Sequence, residues 1–418
     1  MQVQPRHADV AIIGAGIVGL ATAWALLDHG REVVLIDPGT PGGGASSGNA
    51  ATLANYAVEP LARPALLPSL PSLLFSPDSP FHLRWRHLPR LTPWLLRFMG
   101  AARRAQADHA CRTLCHLLAP SPEDWRTLHA SMQADQEAVT LHQRGALYFF
   151  RQSRNWQAAR SDFKARQRMG VAQAYLDARE TAELEPALEG IAKGAILFPD
   201  AGHLDDPLQL AGCLARQLER RGATFILDRA TSLERHASGV SIQCDTGCWR
   251  AEQVVVAAGA WSRPLARSAG DRIPLDVERG YHLEFSGAES LISRPCCPAE
   301  NAFYMTPLVG RLRIAGTVEL GHPADPANPA RLAYLRRHAE AMFGPLGPAS
   351  HEWLGLRPSL PDSLPVIGPA TMPNVTYAFG HGHLGLTLAP TTGRLVAASL
   401  AGKAPDWLRH CHASRFRR

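Results

Sequence analysis

The stretch Asp9-Val-Ala-Ile-Ile-Gly14-Ala-Gly16-Ile-Val-Gly19-Leu-Ala-Thr-Ala-Trp-Ala-Leu-Leu-Asp28-His-Gly30-Arg-Glu-Val33-Val-Leu-Ile-Asp37 decides the fold. Residues 9–13 read as a short apolar strand, and 14–19 turn the chain. Residues 20–29 read as a helix carrying the small Ala21, Ala23 and Ala25, and Gly30 ends it. Residues 33–36 form a second strand closed by Asp37. This order is a βαβ unit. Its glycines follow the spacing G-x-G-x-x-G, and each has a task. Gly14 allows the tight turn, Gly16 lets the backbone approach a pyrophosphate at the helix N-terminus, and Gly19 lets helix and strand pack closely. Asp37 can accept hydrogen bonds from a ribose diol. The unit reads as a dinucleotide site, with Ala15, Ile17, Val18 and Pro38 as further contacts. An acid at the strand end favours an unphosphorylated adenosine ribose, so FAD or NAD rather than NADP.

Three further segments favour the flavin. Gly42-Gly-Gly-Ala-Ser-Ser-Gly-Asn-Ala-Ala51 is a loop of small residues suited to lying along a ring system, with Ser46, Ser47, Asn49, Ala50 and Ala51 as candidate contacts. Val254-Val-Val-Ala-Ala-Gly-Ala-Trp-Ser262 is a buried strand running into a small-residue turn, which lets Ala258, Gly259 and Trp261 approach the cofactor. Gly380-His-Gly-His-Leu-Gly-Leu-Thr387 precedes the last helix. A helix N-terminus there would set positive potential beside a ring that gains negative charge on reduction. His381, Gly382, His383, Leu384, Gly385, Leu386 and Thr387 are the candidates. An NAD-dependent dehydrogenase and a non-catalytic flavoprotein subunit are the alternatives from other classes.

Together these segments resemble the D-amino-acid oxidase superfamily of FAD-dependent oxidoreductases. The likeness is greatest to the bacterial D-amino-acid dehydrogenase small-subunit group, with its glycine-oxidase-like and hydroxyproline-dehydrogenase-like relatives. It extends over almost the whole chain. It includes Leu88-Pro-Arg-Leu-Thr-Pro-Trp-Leu-Leu-Arg-Phe98, Pro199-Asp-Ala-Gly-His-Leu-Asp-Asp-Pro207 and Arg357-Pro-Ser-Leu-Pro-Asp-Ser-Leu-Pro-Val-Ile-Gly368, and is looser from about 100 to 195. The resemblance implies an α/β protein. A Rossmann-like FAD-binding domain (1–60, 195–265 and 355–418) would interleave with an α+β substrate-binding domain (61–194 and 266–354) on a mainly antiparallel sheet. It places Ala230 at the adenine. Some relatives tether the flavin through the Cys of a C-x-Y-T segment. The matching stretch here is Ala302-Phe-Tyr-Met-Thr306, with Ala at the tether position, so the FAD is expected to be non-covalent.

The implied activity is oxidation of D-amino acids by hydride transfer from Cα to the flavin, giving an imino acid and then 2-oxo acid and ammonia. The alternative substrates are glycine, sarcosine or cyclic secondary amino acids such as hydroxy-D-proline. Such a site must grip a carboxylate, which a guanidinium does best. The resemblance assigns this to Arg357, brought in from a strand at 353–356, and places Tyr304 against the substrate. Tyr56 and Tyr281 are candidates for the pocket wall, and His383 for reaching the pocket from the flavin loop. The implied electron acceptor is a respiratory quinone or another carrier, and partner subunits are conceivable on the same basis.

Composition sets the frame. With 418 residues, the chain exceeds one ordinary core. Hydrophobic residues at 46% and charged residues at 19% exclude a disordered or fibrous chain. The net charge of +6 gives no nucleic-acid signature. Only three of the 43 basic residues are lysines. Residues 84–112 hold seven arginines and one acid, interleaved with Leu, Trp and Phe, a pattern suited to an anionic membrane surface. The first residues carry no apolar leader pattern, and no stretch suits a spanning helix. The expected location is the cytoplasm, with peripheral contact to the inner face of the membrane as an option. The eight cysteines include no CxxC pair and read as reduced thiols, and no metal site is expected.

Elsewhere, helices are predicted over 121–134, 154–169, 207–221, 329–343 and 389–400. Strands are predicted over 145–150, 223–228, 239–244, 252–257, 280–285, 302–307, 312–318 and 375–379. Residues 59–98 read as irregular with short helices.

Overall fold

The apolar run at 10–13 lies in the strand Arg6–Ile13, at the centre of a parallel arrangement in a computed structural model that describes residues 6–76, 78–133 and 139–417. The leader reading at residues 1–5 and the expected helix end at 134 lie outside these residues. Arg6–Ile13 pairs in parallel with Val33–Asp37 on one side and Cys248–Val256 on the other. Thr224–Leu227 and Val375–Phe379 extend the parallel set, while Ala230–His236, Gly239–Cys244 and Val366–Pro369 pair antiparallel. This eight-stranded sheet is covered on one face by the helices Ile17–Asp28, Pro207–Arg220 and Gly385–Leu400. Its other face packs the short helix Ser262–Ser268. Strands buried on both faces read as continuous apolar runs, which is why 10–13, 33–36 and 254–256 were recognisable.

The second sheet has nine strands and is mainly antiparallel, in the order His351–Ser359, Asp276–Ser286, Arg311–Leu320, Phe303–Leu308, Cys296–Pro298, Ala146–Phe150, Gly194–Phe198, Ala174–Asp177. Phe81–Leu83 adds in parallel to Arg311–Leu320. The helix Pro329–Phe343, opened by the Asn328 cap and Pro329, seals one face of this sheet. Each sheet draws on segments far apart in sequence, so the two units interleave.

Several expectations change. Residues 61–194 do not all belong to the second unit. The helices Arg104–Leu118 and Ser121–Gln133 bury Leu114, Leu117, Trp125 and Leu128 in the same core as Leu20 and Leu388. Within 59–98, a full helix, Leu88–Ala101, replaces the expected irregular chain. The last helix begins at Gly385, not at 389. Pro390 lacks the N–H that would bond Leu386, a reason to start the helix later. The freed carbonyls are satisfied from outside instead. The Trp125 indole donates to Leu386 and Thr387, and Ser121 Oγ donates to Thr387 at 2.7 Å. The strand Ala230–His236 escaped prediction because its side chains are mostly polar and solvent-facing.

Candidate active site

Gly14 has φ +111°, and a Cβ there would lie 2.5 Å from the Ala257 carbonyl oxygen. A Cβ on Gly19 would overlap the Gly14 carbonyl oxygen. These two glycines are therefore required by backbone packing. Gly16 differs, because a Cβ there would meet only Ser46 Oγ at 3.4 Å, and the residue faces an open cavity. Gly16 caps the first helix without a side-chain hydrogen bond, which leaves that helix N-terminus as a donor end. The Ile17 N–H donates to Ser46 Oγ at 3.0 Å. Asp37 accepts from the N–H groups of Ala15 and Gly39, both at 2.8 Å, and lines the cavity.

The cavity is about 1360 Å³ and lies between the two sheets. Pockets for drug-sized ligands span about 300–1,000 Å³, so this one has room for an extended dinucleotide and a small substrate. The small-residue loops bring Ala15, Ile17, Val18, Pro38, Ser46, Asn49, Ala50, Ala230, Ala258, Gly259 and Trp261 to its wall, together with His381, Gly382, His383, Leu384, Gly385 and Leu386. Four expected contacts stand back from it. Gly19 packs against Gly14. Ser47 turns its hydroxyl onto the carbonyl of Gly44. Ala51 is buried in a left-handed conformation at φ 57°. Thr387 Oγ1 accepts from the Ala54 N–H. The loop 42–51 is itself held by residues the sequence reading missed. Arg313 donates to the carbonyls of Ser47 and Asn49, His282 Nδ1 donates to the Gly48 carbonyl, and Trp353 leaves no space for a Cβ at 48.

Arg357 lies on the strand His351–Ser359 and reaches the cavity. Its guanidinium crosses the neighbouring strand at Gly280, where any side chain would collide with it. It donates to the Thr317 carbonyl at 2.9 Å and the Gly316 carbonyl at 3.5 Å. Burial lowers its pKa, and the nearby Glu278 charge opposes that. Tyr56 and Tyr304 also line the cavity, with their hydroxyls 2.9 Å apart. Tyr304 donates to Tyr148 at 3.0 Å, so three tyrosine hydroxyls form a chain on the wall. Tyr56 stacks on Phe198 with ring centres 3.9 Å apart. Burial pushes all three hydroxyls up, so they stay protonated and able to donate.

Tyr281 does not belong to this wall. Side chains alternate along a strand, and with Gly280 beneath Arg357, Tyr281 points the other way. It is buried in the core under Pro329–Phe343, and its hydroxyl bonds Glu319 Oε1 at 3.0 Å. His383 projects into the lumen, yet its depth and the Arg357 charge lower its pKa to about 4. His381 is buried against Thr392 Oγ1 at 3.0 Å, and burial lowers it to about 3. Both rings are therefore neutral at neutral pH. His282, Glu284 and His351 bring three ligand atoms within 4.8 Å, but Glu284 is already bonded by Arg311 and Arg313. Among the described residues, the eight cysteines form no disulfide.

The family described as FAD dependent oxidoreductase (DAO) matches residues 9–399. The chain belongs to the DAO family of FAD-dependent oxidoreductases. A D-amino-acid oxidase of Bradyrhizobium diazoefficiens is 36% identical over 414 residues, covering 96% of this chain and 97% of that one. The D-amino acid dehydrogenase 2 of Pseudomonas aeruginosa is 34% identical over 420 residues, covering 95% and 96%. The crystal structure of glycine oxidase from Geobacillus kaustophilus superposes with a TM-score of 0.79 over 99% of this chain and 100% of that chain, at 23% identity.

FAD fits the residues present in this oxidoreductase. The uncapped helix N-terminus and Gly16 can take a pyrophosphate, and Asp37 a ribose. The loops at 42–51, 258–261 and 380–386 offer small residues and backbone to a ring system. Ala302, at the tether position, lines the cavity with no nucleophilic group. Acid or heat denaturation is therefore expected to release all the flavin into the supernatant, as measured by its absorbance after filtration. Flavin retained on the polypeptide would contradict this.

Proposed function

We propose that this enzyme oxidises D-amino acids at Cα. The observation that carries the reading is Arg357. Its guanidinium lines the cavity and is anchored by carbonyl oxygens, and among the described residues no carboxylate forms an ion pair with it. Such a cation, set in an apolar cavity, suits a substrate carboxylate. The names of the two relatives support a D-amino acid as the substrate class.

When bound, FAD supplies the acceptor for the hydride leaving Cα. The chain's own residues hold the substrate. Arg357 fixes the carboxylate, and the Tyr56–Tyr304–Tyr148 chain offers hydroxyl donors on the wall. His383 is neutral above about pH 4 and adds no like charge against a substrate ammonium. Leu70, Leu73, Leu74, Phe81, Leu88 and Trp94 make the rest of the wall apolar and exclude water. Once the ammonium has given a proton to solvent, loss of hydride from Cα of the neutral amine leaves a protonated imine, and its hydrolysis gives 2-oxo acid and ammonia.

A quinone or another carrier as electron acceptor belongs to the same proposal, as does contact with the inner face of the membrane. Trp85 and Met99 are exposed and line the cavity, and Leu96 is exposed on the same helix as Met99, which supports a surface for apolar partners. Within 84–112, Arg84, Arg86 and Arg90 are committed inside the protein, pairing with Glu319, Asp325 and Asp276. No helix of the described residues is long and apolar enough to cross a membrane.

An anaerobic screen of flavin reduction tests the reading across D-amino acids, L-amino acids, glycine, sarcosine and both proline epimers. Fastest bleaching by D-amino acids is expected. Bleaching by glycine, sarcosine or a proline epimer alone would replace the substrate class.

A further inference from the structure

Glu278 and Arg357 stand directly opposite one another on adjacent antiparallel strands, so both side chains leave the sheet on the cavity face. They are not hydrogen-bonded to each other. The guanidinium is turned onto the Thr317 and Gly316 carbonyls, and Glu278 Oε2 is buried without a partner. Thr317 Oγ1, next to the pair, is also buried and unpaired, and the Ser359 hydroxyl lies against the Glu278 carboxyl, where it favours the ionised form. A buried carboxyl with unused lone pairs is costly unless it holds a proton or meets a cation. Burial favours its protonated form and the Arg357 charge opposes this, with burial the larger effect, so the carboxyl titrates above its usual range.

We propose that Glu278 is a positioning residue that couples the grip of Arg357 to a proton. When Glu278 is ionised, its charge neutralises the guanidinium from within the protein. When Glu278 is a carboxylic acid, the guanidinium is free to hold an incoming carboxylate. Two carboxylates compete for one cation, so the ligand binds together with one proton taken from solvent onto Glu278. No bond is made or broken in the ligand. This rests on the reading of Arg357 as the carboxylate anchor.

A bound carboxylate cancels the Arg357 charge that holds the Glu278 pKa down, so binding raises that pKa. Affinity is full below the free-enzyme pKa of Glu278 and falls by roughly tenfold per pH unit above it. Among the described residues facing the pair, His383 and His381, from the turn after Val375–Phe379, are neutral above about pH 4. Tyr56 and Tyr304 remain protonated, and Arg357 remains charged. Glu278 is thus the member of this group whose proton is in play above the ordinary carboxylate range, because burial favours its protonated form.

The test uses the flavin-loaded enzyme and pyruvate, a carboxylate with no amine to titrate. Binding is read from the flavin spectrum across a range of pH for wild type, E278Q and R357A. Wild type should weaken by about tenfold per pH unit over part of the range. E278Q should bind pyruvate as tightly as wild type at low pH, with no slope. A flat wild-type profile, or a slope retained in E278Q, overturns the proposal. R357A should lose pyruvate at every pH. If R357A binds pyruvate like wild type, or wild type does not bind it at all, the carboxylate-anchor reading fails and this proposal falls with it. Loss in R357A with a flat wild-type profile leaves the anchor standing and removes only the role of Glu278.

Discussion

Arg357→Ala is expected to lower kcat/KM by roughly 30- to 5,000-fold, which corresponds to the about 2–5 kcal/mol seen when one partner of a buried charge pair is truncated. The substrate carboxylate would then enter an apolar cavity without a cation. The loss should appear mainly in KM, because the anchor holds ground state and transition state alike. Flavin content should remain near wild type, since the expected phosphate and ribose contacts lie at Gly16 and Asp37. Arg357→Lys should recover little. An ammonium cannot bond the Thr317 carbonyl and present a planar fork to a carboxylate at once. Steady-state kinetics with flavin content measured on each variant check this, and an unchanged kcat/KM in the Ala variant removes Arg357 from the site.

Gly19→Ala should prevent the first helix from docking, whereas Gly16→Ala should spare the fold. At Gly19 the added methyl would occupy the place of the Gly14 carbonyl oxygen, and neither backbone segment can move without shifting a central strand or the helix. Overpacking of this kind costs about 1–3 kcal/mol or more, and a backbone obstacle places it at the upper end. The result should be insoluble protein or a markedly lowered Tm. At Gly16 the methyl would meet only Ser46 Oγ at 3.4 Å and then project into the cavity where a pyrophosphate would lie. That variant should keep the Tm of the flavin-free protein while flavin affinity falls at least tenfold. Thermal denaturation of stripped protein and flavin titration separate the two. Equal destabilisation by both substitutions would contradict the division of labour.

This contrast also shows what was legible in the sequence. Glycine spacing carries backbone information, so the turn, the first helix and the two strands around it could be read from 9–37 alone. Arg357 stood among 40 arginines, and only resemblance singled it out. Tyr148 and Glu278 were missed because they sit on the strands Ala146–Phe150 and Asp276–Ser286, which meet the site only through sheet register. Tyr281 lies off the site because side chains alternate along the strand from Gly280, an alternation the residue type alone does not show. The start of the last helix depended on Trp125, more than 250 residues away in sequence, supplying hydrogen bonds that Pro390 removes. Local propensity holds no trace of such a partner.

Oxidation in this cavity of a D-amino acid held by its carboxylate is the proposed activity. One anaerobic titration tests it most directly: the flavin-loaded enzyme is mixed with one equivalent of the D-amino acid ranked first in the screen, and with its L-enantiomer in parallel. Loss of the yellow flavin band and one 2-oxo acid per flavin are expected with the D-form, and an unchanged spectrum with the L-form. Equal bleaching by both enantiomers, or bleaching by neither, would contradict it.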